Sequence, residues 1–265
     1  MAHSKNLKKN TALSPYDSLS GKRVLITGAS SGIGATMAKL FALHGAKIGI
    51  HYRNSKNSAL NVLREIKSAG GEGELFKGDL LQRNVRANLI SKFINKFGGI
   101  DILINNAGAI LEYKHFSRLT ETNWDDMFAL HAKASFVLSQ KAFANMTRQK
   151  WGRIINISTN ATKYASPNIM HYYSSKASLE AVTLGFAKEG TKHNILVNAI
   201  RCGNINTPMH TKFVGYSEKK NRERIRMIPL ARAGNPEEIA HLALFLCSSA
   251  SDFTTGQIIT VAGGE

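Results

Sequence analysis

The stretch VLITGASSGIGATMAKLF, residues 24–41, decides the fold. It begins as a short apolar run of the kind that forms a buried strand. Gly28, Gly32 and Gly34 follow at once, and Gly34 opens a segment in which Met37, Leu40 and Phe41 recur at helical spacing. Glycine lets the backbone turn tightly and approach a ligand, while the helix behind it offers unpaired N–H groups and positive potential. Strand, glycine turn and helix in that order predict a pyrophosphate-binding turn, completed by Ser30, Ser31 and Ile33.

From this unit outward, short apolar runs alternate with longer helical-period stretches. Strands are predicted at 22–27, 47–52, 73–78, 100–105, 153–158, 195–200 and 257–262. Helices fill the gaps at about 32–45, 56–70, 82–97, 121–150, 170–192 and 236–248. Seven strands joined by helical crossovers describe an α/β fold, a doubly wound, seven-stranded parallel sheet of the Rossmann type. Residues 21–265 are read as a single domain, since 265 residues suit one large core better than two. Residues 1–20 lack periodicity and read as a flexible basic arm carrying Lys5, Lys8 and Lys9. Residues 204–230 are a long basic insertion, expected to act as a substrate lid.

Two cysteines, Cys202 and Cys247, stand far apart and form no disulfide or zinc pattern. No run is long and apolar enough for a membrane span and the start lacks a signal-peptide pattern, so a cytoplasmic protein is expected. The formal net charge is +17, a balance that favours acidic partners or phosphorylated cofactors. No nucleic-acid motif accompanies it, so dispersed, solvated charge is the better reading than nucleic-acid binding.

The end of the second strand, IGIHYRNSKNSA at 48–59, speaks to cofactor choice. A carboxylate there would bind a ribose 2′-hydroxyl and repel a 2′-phosphate. Tyr52 stands in its place, followed by Arg53 and Asn54. Arginine's planar fork suits a phosphate, so NADP(H) is expected over NAD(H).

Taken together, T-G-x-x-x-G-I-G at 27–34, N-N-A-G at 105–108 and Y-x-x-x-K at 172–176 resemble the short-chain dehydrogenase/reductase family, over about residues 20–264. The resemblance implies hydride transfer between a nicotinamide and a carbonyl or secondary alcohol. It implies adenine contacts at Asp79 and Leu80, and further cofactor contacts at Asn106, Ala107, Gly108, Gly203, Ile205 and Thr207. Of the adjacent tyrosines in HYYSSKAS (171–178), geometry selects Tyr172: it shares a helix face with Lys176 four residues on, whereas Tyr173 is rotated about 100° away. Tyr172 is expected to donate the proton, its phenol pKa lowered by the Lys176 cation, and by resemblance Lys176 also holds the nicotinamide ribose.

Three positions depart from the family pattern. The serine expected thirteen residues before the tyrosine is Thr159, which keeps the hydroxyl. The relay asparagine, seven beyond Trp124, is His131, able to exchange protons near neutral pH. The proline before Gly203 is Cys202, which frees φ and is expected to loosen the nicotinamide pocket. The carboxy-terminal stretch resembles beta-ketoacyl acyl-carrier-protein reductases, whose carrier-docking positions match Lys150 and His193, with Lys192 beside the latter. This points to an acidic acyl carrier as partner. A sugar, polyol or other small carbonyl compound is the alternative substrate, and a catalytically impaired cofactor-binding regulatory or nucleic-acid-binding protein the alternative of another class. The resemblance also implies a homotetramer or dimer formed through the helices at 121–150 and 170–192.

Overall fold

A computed structural model of the chain describes residues 14–211 and 217–265. Its strands are β1 (Arg23–Ile26), β2 (Lys47–Tyr52), β3 (Glu72–Lys77), β4 (Ile102–Asn105), β5 (Gly152–Thr159), β6 (Ile195–Cys202) and β7 (Ile258–Val261). They form one sheet in the order β3-β2-β1-β4-β5-β6-β7, with every neighbouring pair parallel. The helices are α1 (Gly32–Leu43), α2 (Lys56–Ser68), α3 (Arg83–Phe97), α4 (Glu121–Phe128), α5 (Ala134–Gln149), α6 (Ala161–Tyr164), α7 (Met170–Gly190), α8 (Pro208–Thr211), α9 (Glu218–Arg226) and α10 (Pro236–Cys247).

The central strands are apolar at consecutive positions because both faces of the sheet are covered. Val24 and Ile26 pack with Met37, Phe41, Ile239 and Leu244 of α1 and α10. Leu25, between them, points the other way and joins Phe93, Leu138 and Val197. Cutting the fully buried Phe41 back to alanine would cost about 3–5 kcal/mol. The strand order reverses at β1, which lies between β2 and β4. Loops leaving the carboxyl ends of β1 and β4 therefore diverge and open a crevice there.

Four sequence expectations change. The single helix at 121–150 is α4 and α5 joined through a π-helical turn at Ala129–Lys133, which contains His131. The arm at 1–20 is ordered at its end: Pro15–Leu19 form a 3-10 turn with Leu19 buried, and Ser249 N–H donates to Ser18 Oγ at 3.1 Å. Apolar burial of Leu19 and this bond hold a segment whose sequence lacks periodicity; Lys5, Lys8 and Lys9 lie outside the described residues. The insertion at 204–230 carries two helices, α8 and α9, the second capped by the Ser217 side chain accepting from Lys220 N–H; its residues 212–216 lie outside the described part. Cys202 sits in register between Thr159 and Val261, and its carbonyl accepts from Asn160 N–H at 2.8 Å, so sheet pairing replaces the expected looseness.

Candidate active site

The turn after β1 is built by close approach. Gly28 has φ +65°, and a Cβ there would meet Ala107 Cα at 2.9 Å; a Cβ at Gly34 would lie 2.5 Å from both Asn106 Nδ2 and the Gly28 carbonyl. Any larger residue would push the loops after β1 and β4 apart. Asn106 Nδ2 donates to the carbonyls of Thr27 (2.8 Å) and Gly28 (3.1 Å). Thr27 Oγ1 in turn accepts from the N–H groups of Asn106 and Ala107, both at 2.9 Å. Sequence reasoning missed a third fastener, His51: its Nδ1 accepts from Gly28 N–H at 3.2 Å and its Nε2 contacts the Gly78 carbonyl at 3.1 Å. Burial pushes its pKa down to about 4, so the ring is neutral and bridges β1, β2 and β3. Its only signal in sequence is a polar residue inside an apolar strand.

Ser31, the N-cap of α1, makes no side-chain capping bond. The first-turn N–H groups of α1 have no intrahelical partner, and the helix dipole adds positive potential. With the glycine cradle, these donors fit a dinucleotide pyrophosphate. Arg53 and Asn54 are exposed just past the end of β2. Asp79 Oδ1 accepts from Leu81 N–H at 2.9 Å, and Leu80 is buried.

Thr159 ends β5, and Tyr172 and Lys176 lie one turn apart near the start of α7. Tyr172 and Thr159 share a side-chain hydrogen bond. Lys176 Nζ donates to the Ile157 carbonyl at 2.7 Å. The expected lowering of the phenol does not occur: burial pushes Tyr172 up to about 12, opposed by the Thr159 hydrogen bond. Burial likewise pulls the Lys176 ammonium down to about 8, opposed by Cys202 and Glu180. The site is drier than a tyrosine–lysine spacing alone conveys, and desolvation outweighs pairing.

His131 is fully buried. Its Nε2 accepts from Ala109 N–H at 3.3 Å, and its Nδ1 lies 2.8 Å from Ser175 Oγ. The backbone bond makes Nε2 the acceptor, so Nδ1 carries the proton toward Ser175. Ser175 Oγ passes its own hydrogen to the Tyr172 carbonyl at 2.7 Å. A Cβ at Gly108 would lie 3.1 Å from His131 Nε2 and 3.3 Å from Lys176 Nζ; the two nitrogens flank the small space that this glycine leaves. Burial first, then the Lys176 charge, holds the His131 pKa well below its usual value.

Beneath this cluster, Arg201 binds Glu180 through two prongs, Nε to Oε1 at 2.7 Å and Nη2 to Oε2 at 2.6 Å. Ser158 Oγ donates to the same Oε1 at 2.7 Å. One carboxylate thus ties α7, four residues past Lys176, to β5 beside Thr159 and to β6 beside Cys202.

A cavity of about 840 Å³ opens above these residues. It gathers the predicted Gly28, Ser31, Gly32, Ile33 and Gly34 from the first turn, and Asn106, Ala107 and Gly108 from the loop after β4. Thr159, Tyr172, Lys176, Gly203, Ile205 and Thr207 complete the predicted set on its wall. Ser30, Arg53, Asn54, Asp79, Leu80 and His131 are not on its lining; His131 stands behind Gly108. Burial pushes the lining Cys202 thiol up to about 12. Ile110 and Tyr113, from the segment 110–119 that the sequence also points to as pocket-shaping, and Met209 of the expected lid give the cavity an apolar wall together with Tyr164 and Ile169, which sequence reasoning missed.

Lys150 and His193 lie elsewhere. Lys150 caps α5 two residues before β5, and His193 stands two residues before β6, whose start pairs with that of β5. Gly152 N–H donates to the Asn194 carbonyl at 3.2 Å, and the His193 ring meets Phe143 edge-on at 6.0 Å. Thr159 is at the far end of the eight-residue β5, about 23 Å away along the strand.

A glycine cradle at the switch point of a doubly wound sheet, facing a half-buried tyrosine and a buried lysine, defines a Rossmann-type oxidoreductase. The comparisons with known proteins narrow the class. A family profile described as "Enoyl-(Acyl carrier protein) reductase" (adh_short_C2) matches residues 28–265. The 3-oxoacyl-(acyl-carrier-protein) reductase FabG of Thermotoga maritima is 37% identical over 246 residues, 93% of this chain and 98% of that protein. Among solved structures, a 3-oxoacyl (acyl-carrier-protein) reductase from Agrobacterium tumefaciens C58 with NADP bound superposes with a TM-score of 0.89 at 28% identity, covering 98% of this chain and 100% of that one. A 7 alpha-hydroxysteroid dehydrogenase complexed with NADH and 7-oxo glycochenodeoxycholic acid gives 0.88 at 32% identity, covering 94% and 96%. The chain belongs to the short-chain dehydrogenase/reductase family.

Proposed function

We propose that the chain is an NADPH-dependent reductase of a 3-oxoacyl thioester. The hydrogen-bonded pair of Tyr172 and Thr159 on the cavity wall, one helical turn from Lys176, carries this reading. When bound, the dinucleotide supplies hydride to the carbonyl carbon. The α1 amino terminus and the turn from Gly28 to Gly34 hold the pyrophosphate, and Asn106, Ala107, Gly108, Gly203, Ile205 and Thr207 frame the nicotinamide half. The Thr159 hydroxyl hydrogen-bonds the substrate oxygen. Tyr172, protonated across the working pH range because its pKa lies near 12, delivers its proton to that oxygen. Lys176 then restores the phenol's proton, and a pKa near 8 suits it to exchanging protons near neutrality. His131 orients the start of α7 through Ser175 and offers Nε2 beside Lys176.

Arg53 at the end of β2, with no carboxylate from 52 to 56, favours NADP(H) over NAD(H). The relatives named for 3-oxoacyl-carrier substrates support the thioester, and Lys150, Lys192 and His193 would dock the acidic carrier. Their distance from Thr159 suits a patch that serves its own pocket through the carrier's long prosthetic arm or the pocket of a neighbouring copy. Apolar side chains exposed on α5 and α7, Phe136 and Leu184, would make that association, as a dimer or homotetramer. A free small carbonyl, sugar or polyol substrate is the second reading, favoured by the separation of the patch from the pocket.

The test is NADPH oxidation with acetoacetyl-coenzyme A, comparing wild type with Tyr172→Phe. Saturable turnover, at least about 100-fold slower in the mutant, supports the assignment. Equal rates in the two proteins reject Tyr172 as proton donor. No turnover in a protein that binds NADPH rejects the thioester.

A further inference from the structure

Three cations line the cavity, Lys176, Lys220 and Arg224, and no acidic residue does so among the described residues. Two of the three come from α9, which meets the cavity through Ser217, Lys220, Asn221 and Arg224. These positions recur at i, i+3, i+4 and i+7, one face of a helix. An amphipathic helix over an apolar pocket ordinarily turns apolar residues inward; this one turns hydroxyl, ammonium, amide and guanidinium inward. The face is held in place: Ser217 caps the helix, Asn221 Oδ1 accepts from Asn204 Nδ2 at 3.5 Å, and Arg224 is ion-paired with the Glu265 carboxylate. Arg224 is thereby neutralised. Lys220 is exposed at the cavity lining and has no ionic partner among the described residues. Asn160, next to Thr159 on the cavity wall, adds a second polar demand, since its amide oxygen and nitrogen are buried without a partner.

We infer that the substrate is a carbonyl compound carrying an anionic group, a carboxylate or a phosphate, which Lys220 binds at the α9 face while the carbonyl lies at Tyr172 and Thr159. The inference rests on the oxidoreductase reading of this cavity and narrows its substrate class. Lys220 takes the negative end at the α9 face, and the apolar Ile110, Tyr113 and Ile169 of the same lining take the carbon chain. A charge-assisted hydrogen bond in a partly enclosed site discriminates by about tenfold or more.

The experiment is calorimetric titration of NADP+-loaded protein with three ligands sharing one hydroxyacyl unit: 3-hydroxybutyrate, 3-hydroxybutyryl-coenzyme A and ethyl 3-hydroxybutyrate, in wild type and Lys220→Gln. The expected result is that one anionic ligand binds wild type at least about tenfold more tightly than the neutral ester. That advantage disappears in Lys220→Gln, with ester binding and the NADP+ dissociation constant unchanged. A preference for 3-hydroxybutyrate assigns the anion as a carboxylate; a preference confined to the coenzyme A thioester assigns it as a phosphate. Three results overturn the inference: equal binding of ester and anions, an advantage that survives Lys220→Gln, or a loss confined to NADP+ affinity, which would assign Lys220 to the cofactor's phosphates. Because the readout is binding, failure of acetoacetyl-coenzyme A turnover removes the thioester reading without touching the anion site.

Discussion

Glu180 and Arg201 form a two-pronged ion pair, with contacts of 2.7 and 2.6 Å, directly under the tyrosine–lysine turn of α7. Glu180 is buried, so removing its charge leaves the Arg201 guanidinium without its ionic partner. Glu180→Gln should lower stability by about 3 kcal/mol, read as a lower urea midpoint at unchanged slope. Glu180 also raises the Lys176 pKa, so the mutant's alkaline pH–rate limb should move to lower pH. A profile identical to wild type would leave the pair a purely structural role.

Thr159 tests whether one hydroxyl in place of another suffices. Thr159→Val removes the hydrogen bond to Tyr172 while keeping volume, and kcat should fall by about 100-fold; Thr159→Ser should stay within about threefold of wild type. Steady-state NADPH oxidation measures both, and full activity in the valine variant would exclude the threonine.

Lys176 couples the site to stability. Its folded pKa near 8 lies below the ordinary lysine value of 10.5, so between those values the unfolded chain binds the extra proton and stability rises with pH. Below pH 8 the protein bears the full cost of the buried charge. Denaturation from pH 7.5 to 10.5 should show this rise in wild type and lose it in Lys176→Met; parallel curves would contradict the burial argument. His131, held neutral, has the same sign lower down: its contribution is lost as pH falls below about 6.5. Its Asn variant should therefore keep the wild-type pH–rate profile from pH 6.5 to 9.

Two glycines give opposite outcomes. Gly34→Ala drives a methyl within 2.5 Å of Asn106 Nδ2 and the Gly28 carbonyl, so it should abolish NADPH binding and cost about 1–3 kcal/mol. Gly185, inside α7 with open space around its Cβ position, should gain about 1 kcal/mol as alanine. Thermal melts and NADPH fluorescence titration separate the pair.

Arg53→Asp should exchange a 2′-phosphate partner for a 2′-hydroxyl partner. The ratio of NADPH to NADH dissociation constants should rise by about tenfold or more. An unchanged ratio would show that Arg53 does not read the phosphate.

The order of strands and helices was legible because local patterns wrote it. Apolar runs buried on both sides, helical periodicity, and Gly28, Gly32 and Gly34 at a forced turn each act within a few residues, and the Tyr172–Lys176 spacing is a property of one helix. What depended on distant segments was not legible. His51, Glu180 and Arg201 read in sequence as one polar residue in a strand and two surface charges; only the parallel register of β1 with β2 and of β5 with β6 made them a bridge and a buried pair. The direction of the Tyr172 shift was also out of reach, because spacing reports that a cation is near while desolvation depends on every element that excludes water. The sequence by itself determined the sheet, the cradle and the placing of Tyr172 and Lys176 on one helix face. The tertiary structure decided their protonation, the cationic face that α9 turns inward, and the separation of Lys150 and His193 from the pocket, since all three depend on packing between parts of the chain far apart in sequence.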